Sequence, residues 1–454
     1  MRVCHGFTAV FDEPNLVSCA GLAPVLRLAE RAGLHGLVAE HVAIDAPGGA
    51  NPHLKVPALV AGMVAGADSI DDMALLRHGA MGRLFGGVRA PSTLGTFLRS
   101  FTFGHVRQLD AVASRLLVNL AAAAPLLPGA AELAYIDVDD TVRQTYGYAK
   151  AGAGRGYTGV KGLNALIATV STPTAAPVIA ATRLRKGSVA SPRGAARLVA
   201  DALVTATAAG ATGVRVLRAD SAFYNADVIA AVRRQQACFS ITARQDRAVR
   251  AAIATIAEDA WTTIKYTNAV FDEVQQRWIS DAEVAEIPYT AFTSKPRARR
   301  VTARLIVRRV TDMNPNNQSE LFTAYRYHAV FTNSPLPTLE AEKAHRAHAI
   351  IEQVIADLKN GPLAHLPSGH FAANSAWLAL AGIAFNLTRA AGVLASTVHA
   401  KATTSTIRAQ LINVPARISR SARRITLHLP NAWPWEHGWT KLLTATAQAP
   451  PRTA

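Results

Sequence analysis

The segment Ala134–Thr141 reads Ala-Tyr-Ile-Asp-Val-Asp-Asp-Thr, an apolar stretch that runs straight into three carboxylates. Aspartate is depleted in strands, so Asp137, Asp139 and Asp140 require a reason to stand there. As a strand, the segment places Tyr135, Asp137 and Asp139 on one face and Ile136, Val138 and Asp140 on the other. Two acids then point the same way. Paired oxygen donors at a strand end suit a hard divalent cation such as Mg²⁺, which prefers carboxylates and water. The plainer account is that one acid caps a turn while the others face solvent.

The 454 residues exceed one ordinary core and imply two or three domains, and with 50% hydrophobic residues there is ample material to bury. The nearly uncharged runs 116–133 and 372–387 are broken by proline or are short and rich in small residues, so no membrane span is expected. Cys4, Cys19 and Cys238 cannot all pair with each other, and none has a Cys or His neighbour at ligand spacing; a reducing cytoplasm without a structural zinc site is expected. The net charge of +17 is uneven: residues 1–130 carry 10 Lys/Arg against 9 Asp/Glu (+1), residues 131–260 carry 16 against 10 (+6), and residues 261–454 carry 22 against 12 (+10). Such an excess favours a polyanionic partner, with nucleic acid first among them, over a merely solubilising surface.

Apolar residues at helical spacing make residues 1 to about 125 mainly helical, over 21–33, 56–67, 69–78, 93–101 and 104–120. The pair 69–78 and 93–101 is a candidate helix-turn-helix variant with Arg99 towards DNA, although near-neutral charge counts against it as the main grip. Gly154-Arg155-Gly156-Tyr157-Thr158-Gly159 is a literal GxGxxG, but residues 163–170 after it read as a strand, and a dinucleotide fingerprint must open a helix. A hairpin accounts for the glycines instead. Further expectations are a strand at 178–184, a helix at 191–208, a strand at 213–219 ending on Asp220-Ser221, a helix at 226–235 and a strand at 238–242. That β-α-β order predicts a mixed sheet, with Asp139 and Asp220 both outside carboxyl ends of strands, where function gathers. From Trp261 to Phe331 the texture turns β-rich (262–266, 301–310, 325–331), and residues 295–309 hold seven Lys/Arg and no acid, either a backbone-contacting edge carrying Arg300, Arg304 and Arg308 or an edge protected against aggregation.

Helix returns at 339–359. His345, His348, Glu352 and Lys359 share one stripe there, Glu352 and Lys359 being two turns apart and displaced by about 20°, while Ile350, Ile351, Val354, Ile355 and Leu358 form the apolar side. An ordinary amphipathic helix with a solvated polar face would show the same pattern. Between Asp357 and Glu436 there is no acid, but there are Lys359, Arg389, Lys401, Arg408, Arg417, Arg420, Arg423 and Arg424, a one-signed span that favours phosphate contact. Trp433 and Trp435 are read as core packing before base stacking.

Asp139-Asp140-Thr141 after a strand, Arg218-Ala219-Asp220-Ser221 after a second, a β insertion, and Glu352 with Lys359 in a Glu-x6-Lys helix together resemble the DDE transposases of bacterial insertion sequences, which are built on a ribonuclease-H-like fold. The resemblance covers about 130 to 430. It implies an α/β protein whose ribonuclease-H-like mixed sheet carries a β-rich insertion, with an all-helical N-terminal domain and a helical C-terminal region. The boundaries expected are 1–128 (helical, a candidate for DNA binding), 129–258 (catalytic core, first part), 259–336 (β-rich insertion), 337–395 (core, second part) and 396–454 (basic C-terminal region). It further implies that Asp139, Asp220 and Glu352 hold two Mg²⁺ or Mn²⁺ ions, that insertion-sequence ends are cut and their 3′-hydroxyls joined to target DNA, and that Lys359 grips a phosphate. The partners implied are double-stranded DNA and a second copy of the chain in a homodimer, in a bacterial cytoplasm and at the nucleoid when bound to DNA. Many relatives read Tyr-x2-Arg-x3-Glu-x6-Lys; here His345 and His348 fill the first two places, as candidate phosphate ligands. Asp137 stays open as an alternative first acid. Asp137-Val138-Asp139-Asp140-Thr141 also fits the Asp-x-Asp-x-Thr motif of haloacid-dehalogenase-like phosphatases, with Asp137 as nucleophile and Asp139 as general acid, and a catalytically inactive DNA-binding relative is a third reading.

Overall fold

The computed structural model describes all residues except 2–4, 147–149, 157, 267–269, 274–276, 280–281, 312–324, 423 and 448–454, so Cys4, Tyr157 and Arg423 lie outside the described residues. The chain divides into two compact units, one formed by Met1–Pro125 with Asp357–Ala454 and the other by Leu126–Ala356.

The second unit is built on one ten-stranded mixed sheet. Its strands are β1 (Leu133–Gln144), β2 (Gly154–Arg155), β3 (Lys161–Ser171), β4 (Val178–Lys186), β5 (Val214–Ala219), β6 (Cys238–Thr242), β7 (Thr262–Thr263), β8 (Ala282–Ala291), β9 (Val301–Thr311) and β10 (Tyr325–Thr332). The order runs β2-β3-β1-β5-β6-β10-β9-β8-β7, with β4 also paired to β3. The ladders β1–β5 and β5–β6 are parallel, and β1–β3, β3–β4 and β6–β10 are antiparallel. The β-rich segment is therefore no separate module. Through β10 on β6 it extends the same sheet, and β9 is an inner strand between β8 and β10, which removes the expected edge.

Helices α1 (Ala195–Ala208) and α2 (Ala226–Arg234) pack together, α1 also covering β3 and β4. Gly194 at φ 79° starts α1 four residues later than Ser191-Pro192 would place it, because a left-handed residue cannot lie inside a helix. The short helix α3 (Arg247–Ile253) is capped by Asp246, whose carboxylate accepts the Ala248 and Val249 N–H groups. Helix α4 (Thr338–Arg346) packs on β6, β8 and β9 and adds Ala341 to a core of Ala282, Val284, Ile306 and Val330. Helix α5 (Ile350–Lys359) follows, its last residues from Asp357 belonging to the other unit. The start of the GxGxxG run, Gly154–Arg155, pairs antiparallel with β3, in keeping with the hairpin reading, and a Cβ on Gly156 would fall 2.5 Å from the Gly187 carbonyl oxygen, so glycine here permits two backbones to approach.

In the first unit the helix Phe371–Ala395 packs against Pro52–Ala65, Phe103–Ala123 and Glu436–Ala447. It is the one described helix long and apolar enough to cross a membrane, and 89% of its most apolar window is buried within the protein, so it acts as a core helix. Its residues had been expected in the catalytic core. The reason for the difference is its all-round apolar surface, which the surrounding helices rather than the sheet enclose. Of the helix-turn-helix candidate, Pro91–Arg99 is helical, but the first element is only a 3₁₀ stretch, Asp71–Leu76, and Arg99 donates to Thr96. A small sheet joins Leu16–Val17, Ala416–Ser421 and Arg424–His428.

Candidate active site

Register creates the site. Along the parallel ladder, Asp137 stands opposite Arg218, and the ladder ends with Val138 opposite Ala219. The next residues, Asp139 and Asp220, are therefore neighbours where pairing stops, although β1 itself continues beside β3 to Gln144. Asp139 thus lies in mid-strand, at the end of one ladder only. Asp220 caps a 3₁₀ turn, its Oδ1 accepting the Ala222 N–H at 3.0 Å.

The three acids of β1 have three different environments. Asp137 is fully buried and receives two 2.7 Å bonds from Arg218 Nε and Nη2, and its Oδ1 lies 3.0 Å from His348 Nδ1. Burial pushes that carboxyl up, but the Arg218 guanidinium and the His348 contact prevail and hold it below the usual carboxylate range. Arg218 also donates to the Ala344 carbonyl at 2.7 Å and lies 4.0 Å from the Tyr135 ring centroid, so it ties β1, β5 and α4 together. Asp140, on the other face, is paired with the buried Arg185 and accepts from Asn164 Nδ2 at 3.1 Å; Arg185 continues to the Ser191 and Arg193 carbonyls. Asp139 has no ion pair among the described residues. Its carboxyl is pushed up to about 6, first by burial and then by the Asp220 charge, against the Asp140 N–H it accepts at 2.7 Å. The Asp220 carboxyl is raised as well, by packing around it and by the Asp140 charge, while the Ala222 N–H and His348 oppose the rise. With both oxygens held by Arg218 and one also against His348, Asp137 is poorly placed for the first-ligand and phosphatase-nucleophile roles, which require an oxygen free of that clamp.

The polar stripe is also sorted. His345 is 8% exposed and uses both ring nitrogens on β6, Nδ1 at 3.0 Å from Ser240 Oγ and Nε2 at 2.9 Å from Thr242 Oγ1. Burial, reinforced by His348 and Arg218, lowers it to about 3, and both ring nitrogens are engaged on β6, which counts against the phosphate contact expected of it. His348 is anchored through Nδ1 on Asp137, and its charge acts on both Asp139 and Asp220. Glu352 is exposed on α5, about one turn beyond His348, and Lys359 ends the same helix. Among the described residues no three His, Cys, Asp or Glu side chains stand close enough together to hold a metal ion. Asp139 and Asp220 are brought together; Glu352 is placed on the neighbouring helix without closing on them.

Arg304 and Arg308, both expected as DNA contacts, have structural partners. Arg304 makes two bonds to Glu286, at 2.8 and 2.7 Å, and donates to the Ser334 and Leu336 carbonyls. Arg308 is buried against Glu342 at 3.0 Å and the Tyr266 ring. Both sit on an inner strand, where a guanidinium needs an acid. Arg300 is exposed, donating to the Lys295 carbonyl at 3.0 Å.

A divalent cation fits the Asp139–Asp220 pair on the chemistry of the donors. These are hard oxygens on two neighbouring carboxylates, each raised in pKa chiefly by burial, and a cation between them would offset that burial and the Asp220 repulsion that adds to it at Asp139. A family model described as transposase DDE domain, group 1, matches residues 6–451. The chain belongs to this family of DDE transposases. A search among curated proteins finds no match. The sequence reading gave no role to Arg218 and Arg185; Arg218 stands in register with Asp137 on the adjacent strand, a placement that signals an ion pair, whereas Arg185 reaches Asp140 across β3 and leaves no such signal.

Proposed function

We propose that the protein cleaves the ends of an insertion sequence and joins the freed 3′-hydroxyls to target DNA, with Asp139, Asp220 and Glu352 as the catalytic acids on a ribonuclease-H-like sheet. The observation that carries this is the sorting of the β1 acids: Asp137 and Asp140 are neutralised by buried arginines, which leaves Asp139 unpaired beside Asp220. Asp139 and Asp220, with Glu352 from α5, would hold two Mg²⁺ or Mn²⁺ ions. When bound, such ions supply activation of the attacking oxygen and charge neutralisation at the leaving oxygen. The chain's own contribution is placement. The Asp137–Arg218 clamp fixes β1, β5 and α4, and Asp137 orients His348 so that its Nε2 is the ring atom available to a phosphate oxygen. Lys359, two turns from Glu352, would hold a further phosphate. Family membership supports DNA as substrate; a synaptic homodimer as the working form and the bacterial cytoplasm as its location are part of the same proposal.

The test is nicking of a labelled duplex carrying the short inverted repeats expected at the flanks of the gene, set against hydrolysis of a small phosphate ester. Mg²⁺-dependent nicking with no ester hydrolysis is the expected result. Specific duplex binding without any nicking would identify an inactive relative, in which Glu352 never closes on the pair.

A further inference from the structure

Eight Lys/Arg and no acid occupy the span between Asp357 and Glu436, and the structure separates those that hold the fold together from those that face outward. Arg389 is 5% exposed and donates to the Ala400 and Ala402 carbonyls. Arg408 is half-buried and donates to the Val64 carbonyl. Arg417, Arg420 and Arg424 instead lie on an exposed two-stranded ribbon, Ala416–Ser421 with Arg424–His428.

The ribbon has two unlike faces. Its register pairs Arg417 with His428, Ser419 with Thr426 and Ser421 with Arg424. Alternation puts these six residues, two arginines, one histidine and three hydroxyls, on one face. Ala416, Ile418, Arg420, Ile425 and Leu427 form the other, on which Ala416 and Ile418 are buried. Leu16–Val17 pairs with the base of the ribbon, at Ala416 and Arg417 only, and the Ile418 N–H donates to the Asn15 carbonyl. Beyond that point the tip extends without a strand neighbour among the described residues. Ser419 Oγ lies 2.8 Å from His428 Nε2, a cross-strand bond that stiffens the polar face. Neither Arg417 nor Arg424 has an acidic partner among the described residues.

We propose that this polar face of the Ala416–His428 ribbon is a double-stranded DNA contact, with Arg417 and Arg424 on phosphates and the hydroxyls between them facing the groove. This rests on the DNA-processing reading above. The dimensions suit it. Ser421 stands opposite Arg424, so the Arg417 and Arg424 positions are four residues, about 13 Å, apart along the ribbon. A B-DNA major groove is about 12 Å wide and admits a two-stranded ribbon, so the two arginines reach phosphates on its two walls. A face with cations and hydroxyls but no carboxylate complements a polyanion and repels nothing on it.

The experiment is fluorescence anisotropy of the full chain with a labelled duplex of about 30 base pairs, titrated at several salt concentrations, for wild type, the double variant Arg417→Ala/Arg424→Ala, and Arg420→Ala from the opposite face. The double variant is expected to bind more weakly, with a plot of log K against log salt shallower by about 2, as the loss of two phosphate contacts requires. Arg420→Ala is expected to stay close to wild type. Equal losses per charge removed from the two faces, or a double variant that matches wild type, would overturn the proposal while leaving the DNA-processing reading intact. Failure of wild type to bind duplex at low salt would overturn that reading itself.

Discussion

Three aspartates in four positions invite the assumption that all three are metal ligands, but buried arginines pair with two of them and leave Asp139 without an ion pair among the described residues. Asp137 is matched by a guanidinium from the adjacent strand β5 and Asp140 by one from β4, across β3, so their charge is satisfied internally. Removing one partner of such a pair is costly: Asp137→Ala is expected to destabilise the protein by about 3–5 kcal/mol, because Arg218 is left as a buried unpaired cation. Chemical denaturation measures this, and the double change Asp137→Leu/Arg218→Met is expected to recover most of the loss. Asp139 behaves in the opposite way. Its folded-state pKa of about 6 lies above the ordinary value of 3.8, so the metal-free native state binds its proton more tightly than the unfolded chain does. Stability from this group is therefore greatest below about pH 4 and falls as pH rises towards about 6. Asp139→Asn removes the penalty, and the metal-free variant is expected to be more stable at pH 7.5 by on the order of 2 kcal/mol while losing cleavage altogether. A lower unfolding midpoint for Asp139→Asn at that pH would contradict the assigned environment. The acids themselves were visible in the sequence, since aspartate in an apolar run demands an explanation. Which acid is free was not, because it depends on Arg218 and Arg185, which lie 81 and 45 residues from their partners.

At the scale of elements, strands with a strong local pattern were legible. Cys238–Thr242 matches the expected bounds, and the strands at 133–144, 161–171, 178–186 and 214–219 differ from expectation mainly at their ends. Ala282–Ala291 escaped notice because Glu283, Glu286 and Pro288 interrupt its apolar alternation; Glu283 and Glu286 are there to pair with Arg309 and Arg304 on the next strand. The same pairing explains why the run of positive charge at 295–309 misled: charge counts along the chain cannot see acids supplied by another strand. Helix α5 carries the element-scale prediction. Glu352→Gln is expected to abolish nicking with duplex binding retained, whereas Lys359→Ala is expected to lower the nicking rate about 10- to 100-fold, the cost of one charge-assisted phosphate contact. His348→Arg places a permanent cation beside Asp137 and is expected to retain activity at pH 8; loss of activity with an unchanged circular dichroism spectrum would show that the site uses the shape of the imidazole rather than a positive charge.

For the whole molecule, the order of motifs told more than any single motif. Asp139 and Asp220 come from two strands of the sheet, and a β-rich stretch separates them from Glu352 on a helix; the family match over residues 6–451 supports the transposase family that this order suggested. What the sequence hid was long-range pairing. The β-rich stretch joins the central sheet through Tyr325–Thr332 on Cys238–Thr242, and the N-terminal and C-terminal segments come together as one helical unit. Both depend on contacts across more than 80 residues, for which local periodicity carries no signal. The central claim is that Asp220 is a catalytic acid beside Asp139, and the most direct measurement is nicking of a labelled terminal-repeat duplex by Asp220→Asn in Mg²⁺, with duplex affinity recorded on the same sample. Nicking is expected to disappear while affinity stays within about twofold of wild type, since the change removes a metal-binding oxygen and touches no basic surface; nicking at the wild-type rate would contradict the account.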